Sequence, residues 1–319
     1  MHPAPPVVVA VVSWNTRDLL DRCLRALRPS VDGGLAEVWV VDNASADGSP
    51  ELVRERHPWA RLVEPGENLG YGRAVNLVAS RTSSPWLAAS NADVALRPGA
   101  LERLVAAGAA DPRAGVVAPR LVLPDGSTQQ TVWGLPTVPM TVAQNAGARV
   151  LGRRLGARLA LRGAWDPDRG RRVPWAVGAF LLVRRSAWDA VGGFDPELWL
   201  SAEDLDLGWR MHRAGWATRY EPAAVADHEL SAASGAVWGD DLPFHWQRCA
   251  YAWMLRRHGR ARTAAIGALN VAGAGVRLAA YAALSPVKPH LRGRLRPQAK
   301  WTLVHAYGLA PKRVLAKYR

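Results

Sequence analysis

The sequence predicts an α/β fold with a doubly wound, mostly parallel sheet and a helical, basic carboxyl-terminal extension. Three observations support this prediction. Apolar runs alternate with amphipathic helical patterns over the first 120 residues, the connections between them are short, and no Asp or Glu occurs from His245 onward. Alternation with short connections is typical of parallel sheets covered by helices on both faces. We expect a domain over residues 1–240 and a helical, basic region over 241–319.

The first two strands are each followed by a helix. Val7–Ser13 is a continuous apolar run, which is typical of a strand covered on both faces. Glu37–Asp42 is the second predicted strand, and a helix follows from about Pro50. The helix between the two strands has Thr16 as its expected N-cap and one apolar face made by Leu19, Leu20, Cys23, Leu24 and Leu27.

The same pattern continues for two more units. Ala60–Glu64 is predicted as a short strand, Tyr71–Ser80 as a helix and Pro85–Ser90 as the fourth strand. Pro98 is expected to start the next helix, because proline is favoured in a first turn. Residues 134–172 are rich in Gly, Pro and Arg with weak periodicity, which predicts a mobile or helical insertion.

Regularity returns in the segment VPWAVGAFLLVRRSAW, residues 173–188. The later segment SAEDLDLGWRMHRAGW predicts an amphipathic helix with Leu205, Trp209 and His212 on one face. Thr218–Pro222 is predicted as a strand. The domain is therefore expected to contain a second group of strands and helices after the insertion.

Polar side chains end two of the predicted strands, namely Asp42 and then Asn91 with Asp93. Ligands of doubly wound sheets bind outside the carboxyl ends of the strands. Asp93 together with His228 could hold Mg²⁺ or Mn²⁺ whose coordination is completed by phosphates. The alternative is that Asp93 caps a turn and His228 is a satisfied loop histidine.

Two further segments could carry chemistry. Glu203 and Asp204 open a helix in an apolar setting, where a carboxylate can act as a general base, although acids in a first turn can also be simple dipole partners. The glycines of Glu67–Asn76 would let the backbone approach a ligand, and Arg73 could contact a phosphate or ribose. The alternative for this segment is a helix cap with a surface arginine.

Seven segments together resemble one family. SWNT, VVDNASADGS, ENLGYGRAVN, SNAD, WAVGAFLLVRR, GGFDPELWLSAEDLDLGWR and DHELSAASG occur in the order and spacing of the family 2 inverting glycosyltransferases. The resemblance covers about residues 7–235 and is greatest to the rhamnosyltransferase-like branch that builds bacterial polysaccharides. It implies a GT-A fold with a nucleotide-binding half at about 1–120 and an acceptor-side half at about 170–240.

The resemblance also implies roles for individual residues. Asp204, with Glu203 beside it, corresponds to the catalytic base, and Asp93 with His228 corresponds to the metal ligands. Where this branch commonly has Asn-Pro-Asp, the chain has Asn91-Ala92-Asp93, which implies a modest metal affinity. The implied donor-binding residues are Asn15, Asp42, Asn68, Gly70, Arg73, Asn91 and Asp93. The implied acceptor-side residues are Trp175, Gly178 and Ala179.

By the same resemblance, the reaction is transfer of a sugar with inversion, assisted by a divalent cation, Mn²⁺ or Mg²⁺. The implied donor is dTDP-L-rhamnose or another dTDP- or UDP-sugar, and the implied acceptor is a lipid-linked or polysaccharide hydroxyl in bacterial cell-envelope glycan synthesis. One alternative is a non-catalytic, membrane-associated scaffold with a degenerate transferase domain. A sugar-phosphate nucleotidyltransferase is disfavoured, because SWNTRD after the first strand contains no Gly or Lys.

Charge and cysteine content indicate location. The net charge is +14 with a pI near 10.8, and the basic tail suits an anionic membrane surface, although a solvated basic face is the alternative. Cys23 and Cys249 lie far apart and match no zinc spacing, which indicates a reducing compartment. We therefore expect a cytoplasmic protein, peripheral on the inner face of the plasma membrane. No nucleic-acid-binding motif accompanies the basic residues.

Two apolar segments bear on membrane insertion. Residues 1–15 lack a charged start, so their apolar run reads as a strand and not as a secretory signal. Ala264–Leu284 has about the length of a membrane span but contains Asn270, Arg277 and several glycines. A buried or interfacial helix is favoured over a transmembrane one.

Overall fold

The computed structural model describes residues 5–145, 165–199, 201–230 and 237–310, together with positions 156 and 235. The chain divides into two compact units. The first comprises residues 1–133 and 165–237, and the second comprises 134–164 and 238–319. The segment from 134 to 164, expected as an insertion of the first domain, is thus grouped with the carboxyl-terminal helices.

Eleven strands and nine helices are named here. The strands are β1 (Val7–Ser13), β2 (Ala36–Asp42), β3 (Arg61–Val63), β4 (Trp86–Asn91), β5 (Val94–Leu96), β6 (Ala114–Val122), β7 (Val132–Trp133), β8 (Arg171–Val173), β9 (Trp175–Ala176), β10 (Phe180–Arg184) and β11 (Ala217–His228). The helices are α1 (Arg17–Asp32), α2 (Ser49–Arg56), α3 (Tyr71–Ser80), α4 (Ala100–Ala110), α5 (Val138–Asn145), α6 (Arg185–Val191), α7 (Glu203–Arg213), α8 (Leu242–Leu284) and α9 (Arg292–Ala306).

The first unit is built on a nine-stranded sheet in the order β3-β2-β1-β4-β10-β6-β11-β5, with β8 also paired to β11. The strands from β3 to β4 are all parallel. β10 runs antiparallel to both β4 and β6, and β11 is parallel to β6. The doubly wound, mostly parallel prediction is confirmed, and the antiparallel insertion of β10 is a feature that strand–helix alternation did not reveal.

Strand β1 is covered on both faces, as its continuous apolar run predicts. Val7, Val9 and Val11 pack into one hydrophobic cluster, which includes leucines of α1 and α4. Val8 and Ala10 pack into a second cluster, which includes residues of α3. Because successive side chains of a strand point to opposite faces, β1 contributes to two cores at once.

Three element predictions differ from the structure in detail. β11 extends to His228, well beyond the predicted end at Pro222, and its register with β6 shifts between Glu221 and Val225. Such an irregularity accommodates a proline that cannot donate a ladder hydrogen bond. α4 begins at Ala100, after Gly99 with φ 76°, so that Pro98 precedes the helix. On α7, Met211 is buried whereas His212 is exposed.

The second unit is helical, as predicted for the carboxyl-terminal region. Its longest element, α8, is broken at Gly259, where φ is 77° and ψ is 174°. A chain of polar side chains links three helices: Asn145 Nδ2 donates to Asn270 Oδ1 (2.9 Å), and Asn270 Nδ2 donates to the Tyr251 hydroxyl (3.1 Å). The Tyr251 oxygen lies 3.0 Å from His305 Nδ1.

One described helix, Gly239–Leu284, is long and apolar enough to cross a membrane by length and composition alone. Only 22% of its most apolar 18-residue window is buried. This low burial argues against a buried core helix at Ala264–Leu284 and leaves the interfacial and the transmembrane alternatives.

A glycine sets the packing of α7, which leads to a first prediction. A Cβ at Gly208 would overlap the Cβ of Trp175 in β9. Gly208→Ala should lower the free energy of unfolding by ~1–3 kcal/mol, because the side chains must shift apart. Urea unfolding followed by circular dichroism measures this. Gly275→Ala, also within a helix but with no atom within 4 Å of the added carbon, is the matched control and should be neutral or stabilising. Equal losses in both variants would contradict the packing role.

Candidate active site

Four residues predicted for the donor side lie near the carboxyl ends of neighbouring strands. In the pairing of β1 with β2, Ser13 is opposite Asp42, and in the pairing of β1 with β4, Val12 is opposite Asn91. Asp93 lies in the turn between β4 and β5. The sheet thus brings Asp42, Asn91 and Asp93 to one edge, with Asn15 in the loop after β1.

The loops after β1 and β2 are tied together. Asn15 Oδ1 accepts a hydrogen bond from the Ala46 amide (2.7 Å), and the Asn15 amide donates to Ser45 Oγ (2.9 Å). Asp47 Oδ2 accepts from the Arg17 amide at the first turn of α1 (2.8 Å). This last bond satisfies an N–H that Thr16, which makes no side-chain cap, leaves unpaired.

Asp42 is buried, and only one of its two carboxylate oxygens is hydrogen-bonded within the described part of the chain. Oδ1 accepts a hydrogen bond from the Ser45 amide (2.8 Å). Oδ2 is buried and has no hydrogen-bond partner within the described part of the chain. Burial raises the pKa of Asp42, and hydrogen bonds from Ser45 oppose that rise. Oδ2 is therefore available to accept a hydrogen bond from a bound ligand.

The turn before α3 requires glycine at position 70. Gly70 has φ 76°, and its amide donates to Asn68 Oδ1 (2.9 Å). A Cβ there would overlap the Trp199 carbonyl. The guanidinium of Arg73 is exposed and donates through Nε to the Pro196 carbonyl (2.7 Å), so its contact with a phosphate or ribose stays a prediction.

Asp93 and His228 are brought together by β-strand register. His228, the last residue of β11, is opposite Val94 of β5, and His228 Nε2 lies 3.4 Å from Asp93 Oδ1. Both side chains are buried. His228 Nδ1 lies 2.7 Å from Gln129 Oε1, an acceptor to which an Nδ1–H can donate. Nε2 is the ring nitrogen on the side of the Asp93 carboxylate.

This pair fits a divalent cation. A carboxylate oxygen and an imidazole nitrogen at this distance can bind the same cation, and a metal-binding histidine commonly donates its other ring N–H to an acceptor, as Nδ1 would here to Gln129. Among the described residues, no group of three or more His, Cys, Asp or Glu side chains could hold a metal. The protein would thus supply two ligands, and the remaining ones would come from a bound diphosphate or water.

The dipeptide Gly178–Ala179 links Asp204 to two residues of the predicted nucleotide-binding half. The Gly178 amide donates to Asp204 Oδ2 (2.9 Å), and the Gly178 carbonyl accepts from the Tyr71 hydroxyl (2.6 Å). The Ala179 carbonyl accepts from the Asn91 amide (2.9 Å). Gly178 and Ala179 are thus brought to the site. The third predicted acceptor-side residue, Trp175, packs against α7 at Gly208.

Glu203 is buried, Asp204 is half-buried, and the two carboxyl groups have different partners. Asp204 accepts hydrogen bonds from the amides of Gly178 and Leu205 (2.9 and 2.7 Å), whereas Glu203 Oε2 has no hydrogen-bond partner among the described residues. Burial, and then the Asp204 charge, raise the pKa of Glu203 to about 8. Burial also raises the pKa of Asp204, against these two hydrogen bonds. The negative charge of the pair therefore resides on Asp204, and Glu203 carries the proton.

The Tyr71 hydroxyl is influenced by all three acids. Its pKa is raised well above the usual value, first by burial and then by the charges of Glu203, Asp204 and Asp93. Coulombic effects of this kind fall off within a few ångströms to a nanometre. The predicted metal ligand and the predicted base are therefore both within electrostatic range of the Tyr71 hydroxyl.

Backbone strain is concentrated around these residues. Five non-glycine residues in the described part of the chain have positive φ: Asn15, Ala44, Ser201, Ala202 and Leu230. Each is a predicted site residue or lies within two positions of one. Left-handed backbone costs roughly 1–2 kcal/mol per non-glycine residue and tends to occur at functional sites. Ser201 and Ala202, both with φ 72°, directly precede the Glu203–Asp204 pair.

Sequence reasoning missed three residues that organise the site. Asn43 contacts the Gly70 carbonyl through Nδ2 (3.4 Å), and Tyr71 and Gln129 make the bonds described above. Asn43 and Tyr71 directly follow predicted residues, so their adjacency was a usable signal. Gln129 had no such signal, because it is far in sequence from every predicted site residue and contacts His228 only in the folded chain.

Comparison with known proteins identifies the family. Residues 8–152 match the family described as Glycosyl transferase family 2, and residues 93–306 match Glycosyl transferase family group 2. An N-acetylglucosaminyl-diphospho-decaprenol L-rhamnosyltransferase of Mycobacterium tuberculosis is 33% identical over 265 residues, which cover 78% of this chain and 84% of that protein. The chain belongs to glycosyl transferase family 2. It is a glycosyltransferase, as the resemblance implied.

Other relatives and a solved structure agree. Rhamnosyltransferase WbbL of Escherichia coli is 43% identical over 56 residues, 18% of this chain and 21% of that protein. The mannosyltransferase PcManGT from Pyrobaculum calidifontis, solved in complex with GDP-Man and Mn²⁺, superimposes with a TM-score of 0.60 at 21% identity, covering 96% of this chain and 87% of that one. That likeness supports the GT-A fold of this family 2 glycosyltransferase.

The proton on Glu203 leads to a prediction about pH. The folded pKa of about 8 lies above the ordinary 4.5, so the folded state holds a proton that the unfolded state releases. Stability from this group is full below about pH 4.5 and is lost as the pH rises to about 8, by at most ~1.4 kcal/mol per pH unit. Glu203→Gln should remove that slope.

Urea unfolding at several pH values across this range measures the effect. The exposed Glu55→Gln is the control and should keep the wild-type slope. An unchanged slope in Glu203→Gln would show that Glu203 is not protonated in the folded state.

Proposed function

We propose that this glycosyltransferase moves L-rhamnose from dTDP-L-rhamnose to a hydroxyl of a lipid-linked saccharide, with inversion, in bacterial cell-envelope glycan synthesis. The observation that carries the proposal is the Gly178–Ala179 dipeptide, which binds Asp204 through Gly178 and Asn91, two residues before Asp93 of the Asp93–His228 pair, through Ala179. The choice of sugar and acceptor is supported by the mycobacterial relative, whose name specifies rhamnosyl transfer to a diphospho-decaprenol-linked sugar.

The donor would bind along the carboxyl edge of the sheet. Asp42 Oδ2 would accept a hydrogen bond from an N–H of the nucleotide base, since it is buried with no partner within the described residues. Asn15 and the turn at Asn68 and Gly70 would shape the base and ribose pocket, with Asn91 near the ribose. Asp93 and His228 would hold Mn²⁺ or Mg²⁺, which when bound offsets the charge that develops on the leaving diphosphate.

Asp204 would act as the catalytic base. It takes the proton from the acceptor hydroxyl as the oxygen attacks the anomeric carbon and the bond to the diphosphate breaks. Its two amide donors fix the carboxylate, while burial keeps its proton affinity high enough to accept the proton. Glu203, holding its own proton, leaves a single negative charge at this position. One displacement inverts the sugar, and no enzyme nucleophile is required.

A lipid-linked acceptor and the basic carboxyl-terminal region support a reaction at a membrane. A lipid-linked acceptor stays in the bilayer, so the enzyme would be cytoplasmic and peripheral on the inner face of the plasma membrane. The basic residues from Arg248 onward would favour anionic lipid head groups. The relative's diphospho-decaprenol acceptor supports this location.

Asp204→Asn separates catalysis from binding. Rhamnosyl transfer should fall by about 10²–10⁴-fold, since the amide cannot take the proton, while dTDP still raises the melting temperature in the presence of Mn²⁺. Asp93→Ala should instead remove the Mn²⁺-dependent part of that thermal shift. Transfer by Asp204→Asn near the wild-type rate would contradict the base assignment.

A panel of sugar nucleotides, each with and without Mn²⁺, tests the donor assignment by thermal shift. We expect the largest Mn²⁺-dependent stabilisation with dTDP-L-rhamnose. A larger shift with UDP- or GDP-sugars would change the donor. No shift and no release of nucleoside diphosphate with any of them would instead support the non-catalytic scaffold.

Gln129 is proposed as a positioning residue for His228. Removing the acceptor in Gln129→Leu frees the imidazole to rotate and to place its proton on Nε2, so Mn²⁺ affinity in the presence of dTDP should fall by about 10–100-fold. Electron paramagnetic resonance of free Mn²⁺ measures this without turnover. Gln130→Leu on the neighbouring residue is the matched control, and Gln129→Glu, which keeps an acceptor, should restore affinity. Equal Mn²⁺ affinity in Gln129→Leu and wild type would contradict the role.

A further inference from the structure

The exposed side of the second half of α8 is entirely apolar. From Ala264 to Leu284, every exposed residue is Ala, Val or Leu: Ala265, Ala268, Ala272, Val276, Ala279, Ala280, Ala282, Ala283 and Leu284. Val276 is 70% exposed and Leu284 is 46% exposed. Val287, just past the helix, is 82% exposed. A helix in water normally presents polar residues on its outer face.

The opposite side of the same segment is occupied by its own unit. Ile266, Gly267 and Ala274 are buried. The polar residues also point inward: Asn270 accepts from Asn145 Nδ2, and Arg277 Nη1 donates to Asn145 Oδ1 (3.2 Å). The segment is thus one-sided, with its polar groups satisfied by protein and its apolar face left open.

The surrounding charge is of a single sign. Residues 242–319 contain fifteen Lys and Arg and no Asp or Glu, so the net charge of +14 resides in this region and the rest of the chain is nearly neutral. Basic residues flank the apolar face in sequence on both sides: Arg256, Arg257, Arg260 and Arg262 before it, and Lys288, Arg292, Arg294 and Arg296 after it. This charge would disfavour a second copy of the chain as the occupant, since the two copies would repel.

We propose that this apolar face, with its basic flanks, is a docking surface for an anionic lipid bilayer, in which the second half of α8 lies in the plane of the interface. An apolar face between cationic segments matches acyl chains below anionic head groups. The in-plane orientation follows from Asn270 and Arg277, whose protein partner Asn145 belongs to the same unit. The proposal rests on the proposed function in one respect only: membrane docking would give the enzyme access to a lipid-linked acceptor.

The test is sedimentation of the full chain with phosphatidylcholine vesicles, with and without phosphatidylglycerol. Wild type should bind only the anionic vesicles, and more weakly as salt rises. The affinity of the double variant Val276→Glu with Val287→Glu for anionic vesicles should fall by about tenfold or more, since two apolar contacts are replaced by negative charges. Val237→Glu, at an exposed valine of the other unit, is the matched control and should bind like wild type.

Three results would overturn the proposal. Binding by the double variant equal to wild type would exclude this face. Resistance of the bound protein to alkaline carbonate extraction would indicate a membrane span. A wild-type dimer in light scattering that the double variant abolishes, without vesicle binding, would assign the face to a second copy. Because the double variant should keep the Mn²⁺-dependent shift with dTDP, failure here is distinguishable from failure of the proposed chemistry.

Discussion

The antiparallel insertion of β10 between β4 and β6 is the constraint on which the site depends. It brings the segment before β10 against the carboxyl end of β4, where the Ala179 carbonyl binds the Asn91 amide. The preceding residue then offers its amide to Asp204 and its carbonyl to Tyr71. α3, β4 and α7 are therefore joined through the backbone of one dipeptide, although α7 is far from the other two in sequence. The contacts are made by main-chain groups of the dipeptide, yet position 178 has little room for a side chain, because a Cβ there would lie 3.1 Å from the Asp204 Cβ.

The acids around Tyr71 differ in what surrounds each of them. Asp93 lies beside the His228 imidazole, Asp204 accepts hydrogen bonds from two backbone amides, and Glu203 has a buried oxygen with no hydrogen-bond partner among the described residues. A metal ligand must stay ionised, a general base must hold charge yet accept a proton, and a third carboxyl nearby is tolerated when neutral. The fold meets these different demands with burial and hydrogen bonds alone.

Much of the first unit could be predicted from sequence, because the information is local. The continuous valine run of β1 identified a doubly covered strand, and Asp42, Asn91 and Asp93 could be placed at strand ends without knowing the strand order. The direction of β10 was not predictable, since apolar runs of parallel and antiparallel strands read alike. The bond from Gln129 to His228 spans 99 residues and left no local signal. For the second half of α8, the sequence could not distinguish a buried from an interfacial helix, because a run of small apolar residues is compatible with both.

The strand order has a consequence for biosynthesis. β11, which ends in His228, is paired with β5, β6 and β8, and β10 fills the gap between β4 and β6. While a ribosome is still making the chain, the first six strands cannot close into one sheet, and β4 and β6 present open edges that could pair with other nascent chains. The proposed cation site would then be incomplete until residue 228 has emerged and docked, so it would form late in translation.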